Sequence, residues 1–295
     1  LWLVSVKEPR SYGGEPVFAK TLQNLDNLGR LTIETPKTVV NLQLEDNLWR
    51  VMEIGNYYAG YRQINNLFND FADARIYRRR GPATDADEKK FGLDDNAFRV
   101  ITRDAGGQIL NSVLIGKAAA DNLYHFARIE GEKDVFLITG NFSFPKTAVS
   151  WLQQPLLSLS PADIRSLKIG QETAVRPDII VPFKIKGKQA VPDISRYLNA
   201  LGFVAAYDVR RSADFDRLQF SAPKSLTVTT FDGLVVTIEV YGRTGEEYWA
   251  SLKFSTTTLP TTAVNDYIKS SAFLYEDWYF RLAPDVGRIL FNAFI

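Results

Sequence analysis

Leu28-Gly-Arg-Leu31-Thr-Ile33 and Ile164-Arg-Ser-Leu167-Lys-Ile169 carry one apolar pattern, L-x-x-L-x-I, and the fold is read outward from this pair. The last two members of each trio stand two apart, the period that puts side chains on one face of a strand. Such a strand needs a cover. Ile64, Leu67, Phe68 and Phe71 in the first copy, and Ile194, Tyr197, Leu198 and Leu201 in the second, share the i, i+3, i+4, i+7 spacing of a one-sided helix. The offset from Ile64 to Ile194 is 130 residues. A third marker is a hairpin: Asp104-Ala-Gly-Gly107 then Ile109-Leu110 to Ile115-Gly116-Lys117 matches Asp232-Gly233 then Val235-Val236 to Tyr241-Gly242-Arg243.

Three markers in one order predict a tandem duplication, and a period this long is a domain duplication rather than a solenoid array of ~20–50-residue units. The expected fold class is α+β: two tandem repeated units, each a mostly antiparallel twisted sheet with a helix packed on one face. The expected divisions are residues 1–27 as a membrane-proximal segment and linker, 28–160 as the first unit and 161–295 as the second.

Composition bounds the function. A chain of 295 residues with 45% hydrophobic and 13% aromatic content can bury real cores. The net charge of +1, from 35 basic and 34 acidic residues, lacks the field of a nucleic-acid binder. No cysteine occurs, so disulfides, thiolate nucleophiles and Cys-ligated metals are excluded. Residues 1–6, Leu-Trp-Leu-Val-Ser-Val, are apolar but far short of the ~20 residues of a span. They read as the stump of a truncated N-terminal membrane helix, the alternative being a frayed end or first edge strand.

In the body of the chain, turns at Pro36-Lys-Thr38 and Asp46-Asn47 predict a three-strand meander. Thr84 to Lys90 reads as a polar loop, Phe144 to Trp151 as a short helix opened by proline, and Leu218 to Phe220 as a strand. Ala263 to Lys269 is a further short helix.

No catalytic signature stands out. His125 is the single histidine and reads as structural, and the carboxylates at Asp85, Asp87, Glu88 and Asp94-Asp95 lack the spacing of a calcium loop. Gly116-Lys117 lacks the upstream glycine and following Ser/Thr of a phosphate loop. No catalytic, cofactor or metal residue is assigned. Arg78-Arg79-Arg80 suits the negative end of the preceding helix, although such a cluster also fits an anionic headgroup. The candidate partner contacts are Tyr57, Tyr58, Arg78, Arg79, Arg80 and Trp278, since interface hot spots favour Tyr, Trp and Arg. Tyr61, one turn before Ile64, reads as core.

The order L-x-x-L-x-I, helix, Phe91-Gly92-Leu93-Asp94-Asp95, Val113-Leu114-Ile115-Gly116-Lys117, Tyr124, Phe144-Pro145 to Trp151-Leu152 and Leu156-Leu157-x-Leu159 resembles the bacterial family catalogued as domain of unknown function 4340. Trp278-Tyr279 to Leu282-Ala283-Pro284 resembles that family's closing segment. The resemblance implies a single N-terminal transmembrane helix, anchorage in the inner membrane facing the periplasm, and a gene beside those for gliding-motility-type ABC transporter subunits and their auxiliary proteins, which makes those subunits and an auxiliary protein the expected partners. It transfers no functional residue, and the second copy lacks a clear Gly-Leu-Asp loop. The expected function is that of a non-enzymatic, membrane-anchored extracytoplasmic accessory or scaffold protein of an ABC-type transporter complex. The alternatives are a periplasmic lipid- or glycan-binding module and, behind it, a hydrolase with dispersed carboxylates.

Overall fold

A β-bulge explains the L-x-x-L-x-I spacing. In a computed structural model, which describes residues 14–119, 122–185, 188–189, 194–243 and 245–292, the ladder register slips between Leu28 and Arg30 and again between Ile164 and Ser166. One extra residue in each bulge brings apolar residues three apart onto one face, and Leu28, Leu31, Ile33, Ile164, Leu167 and Ile169 are all buried. Residues 1–13, on which the membrane-stump expectation falls, lie outside the described residues. Among those described, no helix is long and apolar enough to cross a membrane.

The chain divides by its contacts into two units, Leu1–Gln153 and Gln154–Ile295. The first holds β1 (Leu28–Glu34), β2 (Val39–Glu45), β3 (Leu48–Val51), β4 (Tyr57–Tyr58), β5 (Ile76–Pro82), β6 (Phe98–Asp104), β7 (Ile109–Ala118), β8 (His125–Ile129) and β9 (Asp134–Ile138). They form a nine-stranded antiparallel sheet in the order 4-3-2-1-6-7-8-9-5. The second unit repeats it with β10 (Ile164–Ile169), β11 (Glu172–Val175), β12 (Lys184–Ile185), β13 (Lys188–Gln189), β14 (Ala206–Arg211), β15 (Lys224–Thr230), β16 (Leu234–Arg243), β17 (Glu247–Thr256) and β18 (Trp278–Leu282). The order is 13-12-11-10-15-16-17-18-14, the same topology strand for strand. The helices, in chain order, are α1 (Ala19–Gln23), α2 (Tyr61–Asp73), α3 (Asp85–Phe91), α4 (Ile194–Leu201), α5 (Thr262–Ser271) and α6 (Pro284–Phe291).

Because β4 and β5 are opposite edges of one sheet, α2 between them must traverse a face, and it does so on its predicted stripe of Ile64, Leu67, Phe68 and Phe71. Phe71 stacks on Phe18 at 4.2 Å, over a floor that includes Leu31, Val40, Val100 and Val113. The helix α4 crosses the second sheet in the same position, but its buried residues are Ile194, Tyr197, Ala200 and Leu201. Leu198, expected in that stripe, is only half-buried, because Ala200 fills the inner position instead.

The remaining cover comes from opposite ends of the chain. In the first unit α1 packs on β7 with Val17 and Phe18 buried, so part of the expected linker is core. Its Thr21 N–H donates to Asn111 Oδ1 at 2.9 Å, while its hydroxyl lies 2.6 Å from that of Thr102 and donates to Asn111 at 2.8 Å. In the second unit α6 lies over β15, β16 and β17, and the positions of Thr102 and Asn111 are occupied by the paired, buried Val228 and Val236. A buried guanidinium ties the entry to β10 to the loop after β11. Arg176 donates to the carbonyls of Ile164, Ile179, Pro161 and Ala162, with Phe183 against its face at 4.6 Å.

The ladders correct several expectations. Ile115 corresponds to Val240, so Gly116 corresponds to Tyr241 rather than Gly242; the first hairpin carries one extra residue, Leu110, as a bulge where the register slips between Thr102 and Arg103. Thr84 to Lys90 is not a loop. Thr84 and Asp87 form a capping box that starts α3, which ends at Gly92 in the left-handed region (φ 65°). Arg217–Gln219 is a 3-10 turn instead of a strand, and only Ala148–Trp151 of the expected proline-led helix is helical, again 3-10.

Candidate functional site

The terminal strands β5 and β14 hold the expected arginine cluster and its counterpart. Arg78, Arg79 and Arg80 are strand residues and do not cap a helix: α2 stops at Asp73, and Ala74-Arg75 runs straight into β5. Each terminal strand pairs with its neighbour through a bulge at the same place, between Ile76 and Arg78 and between Ala206 and Asp208. The residue set aside by the bulge is a tyrosine both times. Tyr77 is 52% and Tyr207 59% exposed, where each core has no use for a large aromatic.

Three residues after each tyrosine comes an exposed arginine lying on an aromatic platform. Arg80 sits 5.4 Å from the Phe91 ring and 5.7 Å from Phe126; Arg210 sits 4.6 Å from Trp249. Phe126 and Trp249 occupy equivalent ladder positions on β8 and β17. Of the other arginines, Arg79 pairs with the buried carboxylate of Asp134, Arg78 lies 5.7 Å from the Tyr77 ring, and Arg211 lies 5.1 Å from Trp278.

The platforms exist because the connection after each terminal strand folds over the outer face of its sheet. In the first unit α3 lays Phe91 on Phe126 at 4.2 Å and 18°. That docking requires Gly116: a Cβ there would lie 2.4 Å from the Phe91 carbonyl oxygen. Lys117 then packs across Gly92, so the two glycine motifs of the sequence are one contact, and Arg128 pairs with Glu88 from the helix. Thr84 donates to Asp87 and holds its carboxyl below the usual range.

In the second unit the large Tyr241 stands where Gly116 does, and a short segment plants Phe215 on it. Phe215 stacks on Tyr279 at 4.0 Å and 11° and touches Trp249 at 5.5 Å. Burial, and then the bond with Tyr279, push the Tyr241 hydroxyl well above its ordinary pKa. Burial opposes ionisation of Glu247, but bonds from Trp249 Nε1 at 2.7 Å and from Arg243 bring its pKa below the ordinary value.

Of the expected contacts, Tyr57 and Trp278 are buried at 2% and 5% exposure, because β4 and β18 turn them into their cores. Tyr58 is half-buried under Arg50 at 4.6 Å, and Tyr61, expected in the core, is exposed. Tyr77 and Tyr207 were missed, although Tyr-x-x-Arg recurs at the 130-residue offset of the helices. A shallow hollow of about 260 Å³ on the first sheet is lined by Arg99, Ser112, Leu114, Arg128 and the Glu130–Glu132 turn, with both charge signs represented. His125 is edge-on to Phe142 at 5.3 Å, with Nδ1 3.5 Å from the Gly116 carbonyl. Among the described residues no group of three or more His, Asp or Glu side chains is placed to hold a metal ion.

No curated protein and no solved structure matches the chain. Residues 49–191, from β3 of the first unit into the start of the second, match the model of the family described as Domain of unknown function (DUF4340), which supports the resemblance carried by the motifs.

Proposed function

We propose that this protein works by binding other proteins, as a membrane-anchored, extracytoplasmic accessory or scaffold component of an ABC-type transporter complex of the gliding-motility kind. The observation that carries the binding reading is the pair of exposed tyrosines, Tyr77 and Tyr207, set out by the same bulge on the terminal strand of both sheets. An aromatic stands on the surface at both equivalent places, Tyr77 with one face stacked on Tyr124 at 4.1 Å, and tyrosine beside arginine is the composition of interface hot spots. The transporter context comes from the family resemblance; the match over residues 49–191 supports the family and carries no function of its own.

The test is affinity purification of the full-length protein from detergent-solubilised membranes of its native host, followed by mass spectrometry. Recovery of ABC-type subunits with wild type, reduced in Tyr77→Ala/Tyr207→Ala, is the expected outcome. A protein that purifies alone from intact membranes overturns it.

A further inference from the structure

We infer that β5 and β14 are twin carboxylate receptors, each an exposed tyrosine followed by a ring-mounted arginine, and that they take acidic side chains of an extended segment from a partner protein. The inference rests on the protein-binding reading above and gives the partner its chemistry.

Three observations converge on it. Tyr and Arg recur at one spacing on both strands although what stands between them differs, Arg78 and Arg79 in one copy and Asp208 and the buried Val209 in the other, and although Arg80 is set out by a second bulge where Arg210 pairs with Tyr279. Next, Arg80 and Arg210 are each fixed by aromatic rings, and among the described residues neither forms an ion pair with a carboxylate. Asp87 is the acid that feels Arg80, from beyond ion-pair distance. A ring at cation–π distance restrains a guanidinium without using its N–H donors, which stay available to grip a carboxylate with two bonds. Finally, the bulges and arginines that punctuate both strands blunt them as templates for strand addition, so recognition runs through side chains rather than the backbone ladder.

An anionic membrane surface also attracts arginine, but it does so through diffuse charge, for which neither an aromatic mount nor a tyrosine three residues before it is needed. The geometry therefore favours the acidic polypeptide.

The probe is a short fluorescein-labelled peptide of alternating glutamate and serine, titrated with the purified protein and followed by anisotropy. Wild type should bind two peptides, and Arg80→Gln or Arg210→Gln should each remove one site. Arg80→Lys/Arg210→Lys keeps every charge but gives up the planar fork, and should weaken binding by roughly tenfold or more. In wild type the peptide should also perturb emission from Trp249 beneath Arg210, and in Arg210→Gln it should not. Lysine-variant affinity equal to wild type would overturn the inference, as would unchanged binding by the double glutamine variant. Vesicles containing phosphatidylglycerol form the second arm; their capture by the same arginines without peptide binding would assign the strands to lipid and also overturn it. Thermal melts of each variant separate lost binding from lost fold. Failure here with transporter subunits still recovered from membranes would move the contact elsewhere and leave the binding function standing.

Discussion

Replacing Arg176 by leucine should destabilise the second unit by about 2–5 kcal/mol. The guanidinium is buried and spends its donors on four backbone carbonyls, those of Ile164, Ile179, Pro161 and Ala162. A hydrogen bond to a charged group is worth ~1.5–3 kcal/mol net. Pro161 and Ile179 are exposed, so water can replace the arginine at their carbonyls, whereas Ile164 is buried and Ala162 half-buried. Two unrecovered bonds give roughly 3–6 kcal/mol, from which the gain on burying leucine against Phe183 and Phe231 removes about 1 kcal/mol. Burial pulls the guanidinium pKa down, with Asp163 and Asp178 opposing it. Lysine, a point charge without the planar fork, should recover less than half of the loss. Urea unfolding followed through tryptophan fluorescence gives the size, and hydrogen exchange of peptides from β10 and β11 gives the place. A loss below 1 kcal/mol, or full rescue by lysine, refutes the view that the shielded carbonyls of Ile164 and Ala162 depend on this side chain.

Three further outcomes are expected. Leu67→Ala, at a fully buried position, should cost ~2–5 kcal/mol, whereas Leu198→Ala at its half-buried counterpart should cost clearly less; equal losses in chemical denaturation would contradict the burial difference. Gly116→Ala should release α3, seen as faster hydrogen exchange over residues 85–92, because the added methyl meets the Phe91 carbonyl oxygen; unchanged protection would show that the helix can shift at no cost. Asp70 has its pKa raised to about 7 by burial and then by Asp73. Its folded pKa exceeds the ordinary 3.8, so the native state holds a proton that the unfolded chain has released, and stability should fall as pH rises from about 4 to 7. Asp70→Asn should flatten that slope and raise stability at alkaline pH by about 1–2 kcal/mol, a figure reduced for the group's partial exposure. A wild-type melting temperature that does not fall across this range counts against the assignment.

The duplication was legible because burial writes itself into periodicity. The trios at Leu28 and Ile164 record a bulge, and the stripe at Ile64 records a helix crossing a sheet. The hairpin alignment was wrong by one residue because Gly-Lys and Gly-Arg look alike in letters, whereas the ladder of the first hairpin sets Leu110 aside in a bulge that no apolar period marks. α3 was missed despite its Thr84-x-x-Asp87 cap, since a helix with no buried residue leaves no apolar period. Arg78 to Arg80 were placed on the wrong element because arginine is compatible with a helix end and a terminal strand alike. The mounting of Arg80 and Arg210 depends on Phe126 and Trp249, dozens of residues away, and only three-dimensional pairing brings them under the cation.

A chain that builds one sheet twice faces a problem of address: two similar floors compete for the same coverings. The Thr21, Thr102 and Asn111 contacts answer it with polarity. Were α1 to settle on the other floor, its threonine would meet Val228 and Val236, and a buried N–H and hydroxyl without acceptors cost about 1–3 kcal/mol each. The penalty runs the other way too, since α6 brings apolar Leu290 and would strand the Asn111 amide. Two side chains on the floor and one on the helix thus act as a label readable only when the chain has folded onto its own half, so that twin sheets can be made from one polypeptide without exchanging covers.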